Sequence, residues 1–144
     1  MLHVSILNGP NLNLLGTRQP DIYGGRSFED FLSELEREFP QVKIKYAQTN
    51  VEGDLVSLIQ SHGFKSDYII LNAAGYTHTS VAIPDAVAAI PAQVVGVHVS
   101  NIYQREEVRH IDLFAKYCVG CLFGFGLEGY KMALTYITNI EDDK

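Results

Sequence analysis

Long hydrophobic runs are missing from this chain. No apolar stretch approaches the roughly 20 residues that a bilayer-spanning helix needs, so a transmembrane helix is excluded. Positive charge is scarce. Eleven Lys and Arg stand against seventeen Asp and Glu, a net charge of -6, which leaves no electrostatic footprint for a phosphate backbone, so nucleic acid is not expected as a partner. Cysteine is scarce too, with two in the chain. They form the C-x-x-C of Cys118 and Cys121, inside a run expected to be a strand. Residues three apart on a strand point to opposite faces, so the two thiols are not expected to meet. No second Cys or His pair completes a zinc site, so no metal is expected. The missing disulfide framework fits a reducing, cytoplasmic setting. No basic, then apolar, leader precedes the first apolar run at His3–Leu7, so a signal peptide is not expected. Repeats, low-complexity tracts and linkers are also missing, and residues 1–144 read as a single domain.

What remains is an ordinary globular composition, 47% hydrophobic and 19% charged over 144 residues. Apolar runs alternate with helical periodicity. His3–Leu7, Val42–Ala47, Tyr68–Leu71, Gln93–Val99 and Tyr117–Phe123 read as five strands. Ser27–Phe39 reads as a helix, with Phe28, Phe31, Leu32, Leu35 and Phe39 on one face and a capping pattern at Ser27 and Asp30. Asn50 is expected to cap a second helix that Gly63 ends, a third covers about Ser80–Ala89, and the last about Gly129–Ile137. Strands two to five read as near-continuous apolar runs covered on both faces. Alternation of this kind predicts an α/β fold: a three-layer, flavodoxin-like open parallel sheet of five strands in the order 2-1-3-4-5. In such sheets ligands sit beyond the carboxyl ends of the strands, so function belongs to the loops after strands one, three and four. Gly124-Phe125-Gly126-Leu127-Glu128-Gly129 matches the dinucleotide-binding glycine pattern, but too few residues follow it to complete the unit, and tight strand–helix packing is the better reading.

Those loops hold the chemistry-bearing residues. The connection from Gly9 to Arg26 is long for a compact domain, as lids and binding loops are, and carries Asn11, Asn13, Arg18 and Tyr23. The loop after strand three supplies Asn72, Gly75, Thr77, His78, Thr79 and Ser80; the loop after strand four supplies His98, Ser100, Asn101, Arg105 and Arg109. Four of the five arginines, Arg18, Arg26, Arg105 and Arg109, fall at this edge, which suggests an anion site on an acidic protein. His98 ends an apolar strand, a place suited to an acid–base role. His3, His62 and His110 are read as structural. Tyr23 stands close in sequence to Arg18, a neighbour that lowers a phenol's pKa toward that of a useful base.

Three segments carry a resemblance. Ile6–Gly16 with Arg18-Gln19-Pro20 and Tyr23-Gly24, then Asn72 with Gly75–Ala82, then Val97–Ile102 with Arg105-Glu106-Glu107 and Arg109-His110, together resemble type II 3-dehydroquinate dehydratase. The resemblance spans essentially the whole chain. It implies a hydro-lyase that removes water from 3-dehydroquinate to give 3-dehydroshikimate, by anti elimination through an enolate, in the shikimate pathway to aromatic amino acids. It implies no cofactor, metal or Schiff base, and no lysine stands in any of the three segments. By resemblance Tyr23 is the base, His98 the acid, Arg18 the group that lowers the tyrosine pKa and stabilises developing negative charge, and Asn11 the holder of a water at the enolate. Asn72 and the backbone amides of Val99 and Ser100 take the substrate carboxylate, His78 and Arg109 bind ring hydroxyls, and Asp85 reaches the site of a neighbouring subunit. The family assembles as a dodecamer of four trimers. One departure stands out. Where the family has a glutamate two residues before the catalytic histidine, this chain has Gly96, so any carboxylate partner of His98 has to come from elsewhere in the fold. A non-catalytic relative binding a cyclic polyol carboxylate is the competing reading, and Gly96 is its only support. A flavin- or phosphate-binding module is disfavoured because Pro10 removes an amide donor from the first loop.

Overall fold

Residues 1–16 and 26–144 are described by the structure, a computed structural model. Five strands pair in parallel: β1 (Leu2–Asn8), β2 (Val42–Gln48), β3 (Tyr68–Asn72), β4 (Gln93–His98) and β5 (Gly120–Phe123). Their order is β2-β1-β3-β4-β5, as the alternation of elements predicts. The crossovers are α1 (Phe28–Glu38), α2 (Glu52–Gly63) and α3 (Ala82–Ala89); α4 (Glu128–Asp142) follows β5.

The sheet has two apolar faces, each covered by helices. On one, Val4, Ile6, Ile70, Val95 and Val97 pack against Phe28, Phe31 and Leu35 of α1 and against Tyr130, Ala133, Leu134 and Ile137 of α4. On the other, Leu7, Ile69, Leu71 and Val94 meet Leu55 and Ile59 of α2 and Ile83 and Val87 of α3. Among the described residues no helix is long and apolar enough to cross a membrane.

Several local expectations are corrected. Double-sided burial holds for β1, β3 and β4 but not for the sheet edges: β2 alternates Val, Lys, Ile, Lys and is half exposed, and β5 has no fully buried residue. The fifth strand starts at Gly120 rather than Tyr117, because Ala115–Tyr117 curl into a 3-10 turn. Asp112 sets that turn, its Oδ1 accepting from the backbone N–H groups of Phe114 and Ala115, each at 3.0 Å. Cys118 consequently lies ahead of the strand rather than on it. Both thiols then face one space, with Sγ atoms 3.0 Å (Cys121) and 3.6 Å (Cys118) from where a Cβ on Gly96 would stand. The expectation that they point apart fails because its premise, a strand running through both, fails. A hydrogen bond shared with Cys121, together with burial, pushes the Cys118 thiol up, so it stays protonated.

Asn50 does not cap α2. Its Oδ1 accepts instead from the backbone N–H of Asn11 and from Gln48 Nε2, while Thr49 Oγ1 accepts from Val51 N–H at the helix start. Ser27 caps α1 as expected, its side chain accepting from Asp30 N–H. α4 runs past Ile137 to Asp142, and the Tyr68 hydroxyl holds its last turn by donating to Glu141 at 2.9 Å. The glycine pattern before α4 serves packing: a Cβ on Gly129 would stand 3.3 Å from Val97 of β4.

Gly9 is where the loops after β1 and β3 are pressed together. Its N–H donates to Asn72 C=O at 2.7 Å, and a Cβ there would stand 2.7 Å from the carbonyl oxygen of Ala73. That obstacle is backbone and cannot swing away. Gly9→Ala is therefore expected to cost about 1–3 kcal/mol, as overpacking does. Urea denaturation checks it, and an unchanged midpoint would mean that the two loops part freely.

Candidate active site

Three loops leave the carboxyl edge of β1, β3 and β4, and their side chains line one cleft. Its walls are Pro10–Leu12 with Leu14 and Leu15, then Asn72, Ala74, Gly75 and His78, then His98–Ser100, Ile102, Arg105 and Arg109.

The floor is a buried polar chain. Asn8 and Asn72 end the adjacent strands β1 and β3 and face each other in register. Fully buried Tyr130 reaches them from α4: Asn72 Nδ2 donates to its hydroxyl at 2.8 Å, and the hydroxyl donates on to Asn8 Oδ1 at 2.8 Å. Asn72 Oδ1 accepts from Ala74 N–H at 3.0 Å, which helps the loop turn back. The phenol stays protonated because burial pushes its pKa well up. An amide nitrogen has two N–H donors, and Asn72 uses one of them on Tyr130, which leaves the other for a ligand in the cleft.

Two cleft residues adopt left-handed backbone. Asn11 has φ 69° and opens the 3-10 turn Leu12–Leu14, while Ala74 has φ 51°. Asparagine tolerates this region; alanine does so at a cost of about 1 kcal/mol, and strain of this kind gathers at binding loops. Asn50 steadies the first loop through Asn11 N–H at 2.9 Å, and the Tyr76 hydroxyl steadies Asn50 by donating to its C=O at 2.7 Å.

The two cleft histidines are approximately parallel, ring centroids 6.5 Å apart. His78 Nδ1 donates to Ile111 C=O at 2.7 Å. His98 Nε2 lies 2.9 Å from Asp112 Oδ2. At the outer wall Arg105 donates to Ser100 Oγ at 3.2 Å, and Arg109 Nε donates to Glu106 at 2.7 Å. That bond holds the Glu106 carboxyl below its usual range. The cleft thus presents two guanidinium groups, two imidazoles and two amide side chains, a surface suited to a small polar anion.

The sequence-based candidates divide accordingly. Asn11, Asn72, His78, His98, Val99, Ser100 and Arg109 come together in the cleft, joined by Arg105. Arg18 and Tyr23 lie outside the described residues. Asp85 sits exposed on α3, away from the cleft of its own chain. Arg26 leaves the proposed arginine group: it bonds Glu34 of α1 at 2.6 and 2.7 Å and lies over the Phe31 ring. His3, His62 and His110 stay out of the cleft; His62 bonds Ser5 Oγ, and His110 donates to Arg105 C=O. Sequence reasoning missed Tyr130 and Asp112. Tyr130 carries no local signal because its partners stand 58 and 122 residues away. Asp112 carried a weak one, as the only acidic residue between Glu107 and Glu128. Among the described residues no group of three or more His, Cys, Asp or Glu side chains is placed to hold a metal ion.

Known proteins are similar to this chain over nearly its whole length. The family model described as Dehydroquinase class II matches residues 2–138. A 3-dehydroquinate dehydratase from Francisella philomiragia is 47% identical over 96% of this chain and 95% of its own. One from an Exiguobacterium species is 46% identical over 92% of each. The crystal structure of a type II dehydroquinase from Butyrivibrio crossotus superposes with a TM-score of 0.90 at 36% identity, covering 95% of this chain and 97% of that one.

Tyr130→Phe tests the floor of the cleft. It leaves two buried amide groups short of a partner, a loss expected to cost about 1–3 kcal/mol. The expected result is a lower denaturation midpoint together with weaker ligand binding, because Asn72 is no longer held. A variant as stable as the parent would show that the chain of three side chains holds nothing in place.

Proposed function

Because this chain belongs to the class II dehydroquinase family, we infer that it is a hydro-lyase converting 3-dehydroquinate to 3-dehydroshikimate, a step of the shikimate pathway. The observation that carries the reading is the family match over residues 2–138, with the cleft residues of all three segments gathered at one sheet edge.

In the mechanism we propose, the Tyr23 phenolate removes the C2 proton, and the electrons pass to the carbonyl oxygen as an enolate. The enolate re-forms the carbonyl as the C1–O bond breaks, and His98 protonates the departing hydroxyl, which leaves as water. Arg18 lowers the Tyr23 pKa and offsets the transition-state charge. Asn11 orients a water at the enolate oxygen. The substrate carboxylate lies against Asn72 and the Val99 and Ser100 amides, and His78 and Arg109 hold the ring hydroxyls. The cleft's cationic wall supports this orientation: an acid substrate with a carboxylate at one end is complementary to it. Asp85, exposed on α3, serves the site of an adjoining subunit in a homo-oligomer, which we take to be a dodecamer of four trimers. Exposed Val81, Val108 and Ile111 are apolar surface that such contacts would cover. We read residues 1–144 as one domain, working in the cytoplasm. The competing non-catalytic reading loses its support, because His98 has a carboxylate neighbour despite Gly96.

Incubation with 3-dehydroquinate, followed by the ultraviolet absorbance of the conjugated enone, tests the activity. EDTA is expected to leave the rate unchanged, and borohydride with substrate to leave the enzyme active, since no step uses a metal or a lysine. Tyr23→Phe is expected to lower kcat by roughly 100-fold or more while substrate still binds. No enone signal from the parent protein, or full activity without the phenol, would defeat the assignment.

A further inference from the structure

His98 has two ring nitrogens in different surroundings. Nε2 is 2.9 Å from Asp112 Oδ2, and the two side chains are only 5% and 11% exposed. The other Asp112 oxygen accepts from the backbone N–H groups of Phe114 and Ala115. Three bonds therefore fix the carboxylate, and a carboxylate only accepts. Nε2 must carry a proton toward it, and Nδ1 is the nitrogen left to exchange a proton with a ligand.

We propose that Asp112 is the positioning residue for His98: it fixes the Nε2-protonated tautomer, turns Nδ1 to the substrate and stabilises the imidazolium that serves as the acid. The proposal rests on His98 being the acid of the dehydration. The rest of the imidazole's surroundings does not supply such a partner. The His78 ring lies alongside it, Arg105 and Arg109 share the cleft, and no carboxylate is among the described residues lining it. Cys118 and Cys121 lie behind and share a hydrogen bond, which together with burial pushes the Cys118 thiol up and which lowers that of Cys121. Asp112 is therefore the carboxylate within hydrogen-bond reach of the His98 ring, held by its own turn.

Gly96 belongs to the same arrangement. A Cβ there would stand 3.0 Å from Cys121 Sγ and 3.3 Å from Phe114 Cε2. Phe114 is fully buried and is the residue whose N–H Asp112 holds. One turn, Asp112 to Phe114, thus brings the carboxylate to His98 and, together with Cys121 of β5, crowds the place a side chain at position 96 would take. The carboxylate comes from the turn after β4, and position 96 stays bare to admit that turn.

Asp112→Asn separates this role from a merely structural one. The amide oxygen can still accept from Phe114 and Ala115, so the turn survives, and its NH2 group then faces Nε2. Neutral imidazole accepts there; imidazolium, with an N–H at that place, does not. The expected result is a denaturation midpoint near the parent's and kcat down roughly 10- to 100-fold with KM within about twofold. In ¹⁵N NMR, neutral His98 should be protonated on Nδ1 instead of Nε2. Unchanged kcat and an unchanged His98 tautomer would overturn the proposal. If His98→Ala left turnover intact, the acid assignment would fail and overturn the catalytic half of the proposal, while the tautomer measurement would still decide the structural half. Gly96→Glu is a second arm that does not depend on how the first variant folds. It is expected to lower stability without raising kcat, and a rate at least about tenfold above the parent's, with stability unchanged, would show that His98 lacked an adequate carboxylate.

Discussion

The cleft depends on a single phenol. Tyr130 projects from α4 into the sheet's carboxyl edge and bridges Asn8 and Asn72, the last residues of β1 and β3. Without a partner these amides would be costly at such depth, since Asn8 is wholly buried and Asn72 nearly so. With it, both strand ends are pinned at one height, and the two loops diverge from a common point. Gly9 completes the constraint by bonding its N–H to Asn72 and by lacking the Cβ that would strike Ala73. The left-handed Asn11 and Ala74 stand two residues beyond Gly9 and Asn72. Their strain is sustained because the backbone just before them cannot move.

What the sequence reveals and what it hides divide along the range of the interactions. Strand order and helix positions are legible because each depends on a periodic pattern within one segment: Phe28, Phe31 and Leu35 announce the inner face of α1 by spacing alone. The gathering of Asn72, His78, His98, Ser100 and Arg109 is legible because a parallel sheet sends all its carboxyl ends to one edge. Arg26 misleads for the same reason: placement at the edge says nothing about direction, and a local bond to Glu34 decides it. Asn50 misleads because capping chemistry suits several acceptor roles, and the Asn11 N–H across the edge outcompetes the helix start. The cysteine spacing misleads because one side-chain cap, Asp112 on Phe114 and Ala115, breaks the strand that the pattern assumes.

Asp112 shows the limit most clearly. Read locally it is an ordinary turn residue, since aspartate favours a place where its oxygen meets the N–H groups two and three residues on. That description is correct and accounts for one oxygen. The other oxygen is directed at His98, fourteen residues earlier, by the path of the chain between β4 and β5. No spacing rule links the two residues, because irregular chain connects them: two 3-10 turns, Ile102–Gln104 and Glu107–His110, and the segments between.

The same geometry bears on how a site of this kind changes. A carboxylate at position 96 would sit on β4, in register with Leu71 of β3, so its placement would be tied to the rigid centre of the sheet. One at position 112 is held by its own turn, and it brings Phe114 with it. The two positions compete for space, because Phe114 and Cys121 crowd the place a position-96 side chain would take. Moving the charge therefore requires at least two coordinated changes: the strand residue must shrink as the turn gains both an acid and a bulky neighbour. A chain with either change alone would leave His98 without a carboxylate or crowd its core. On the proposed role of Asp112, Gly96 is the steric counterpart of that turn rather than a loss of catalytic equipment.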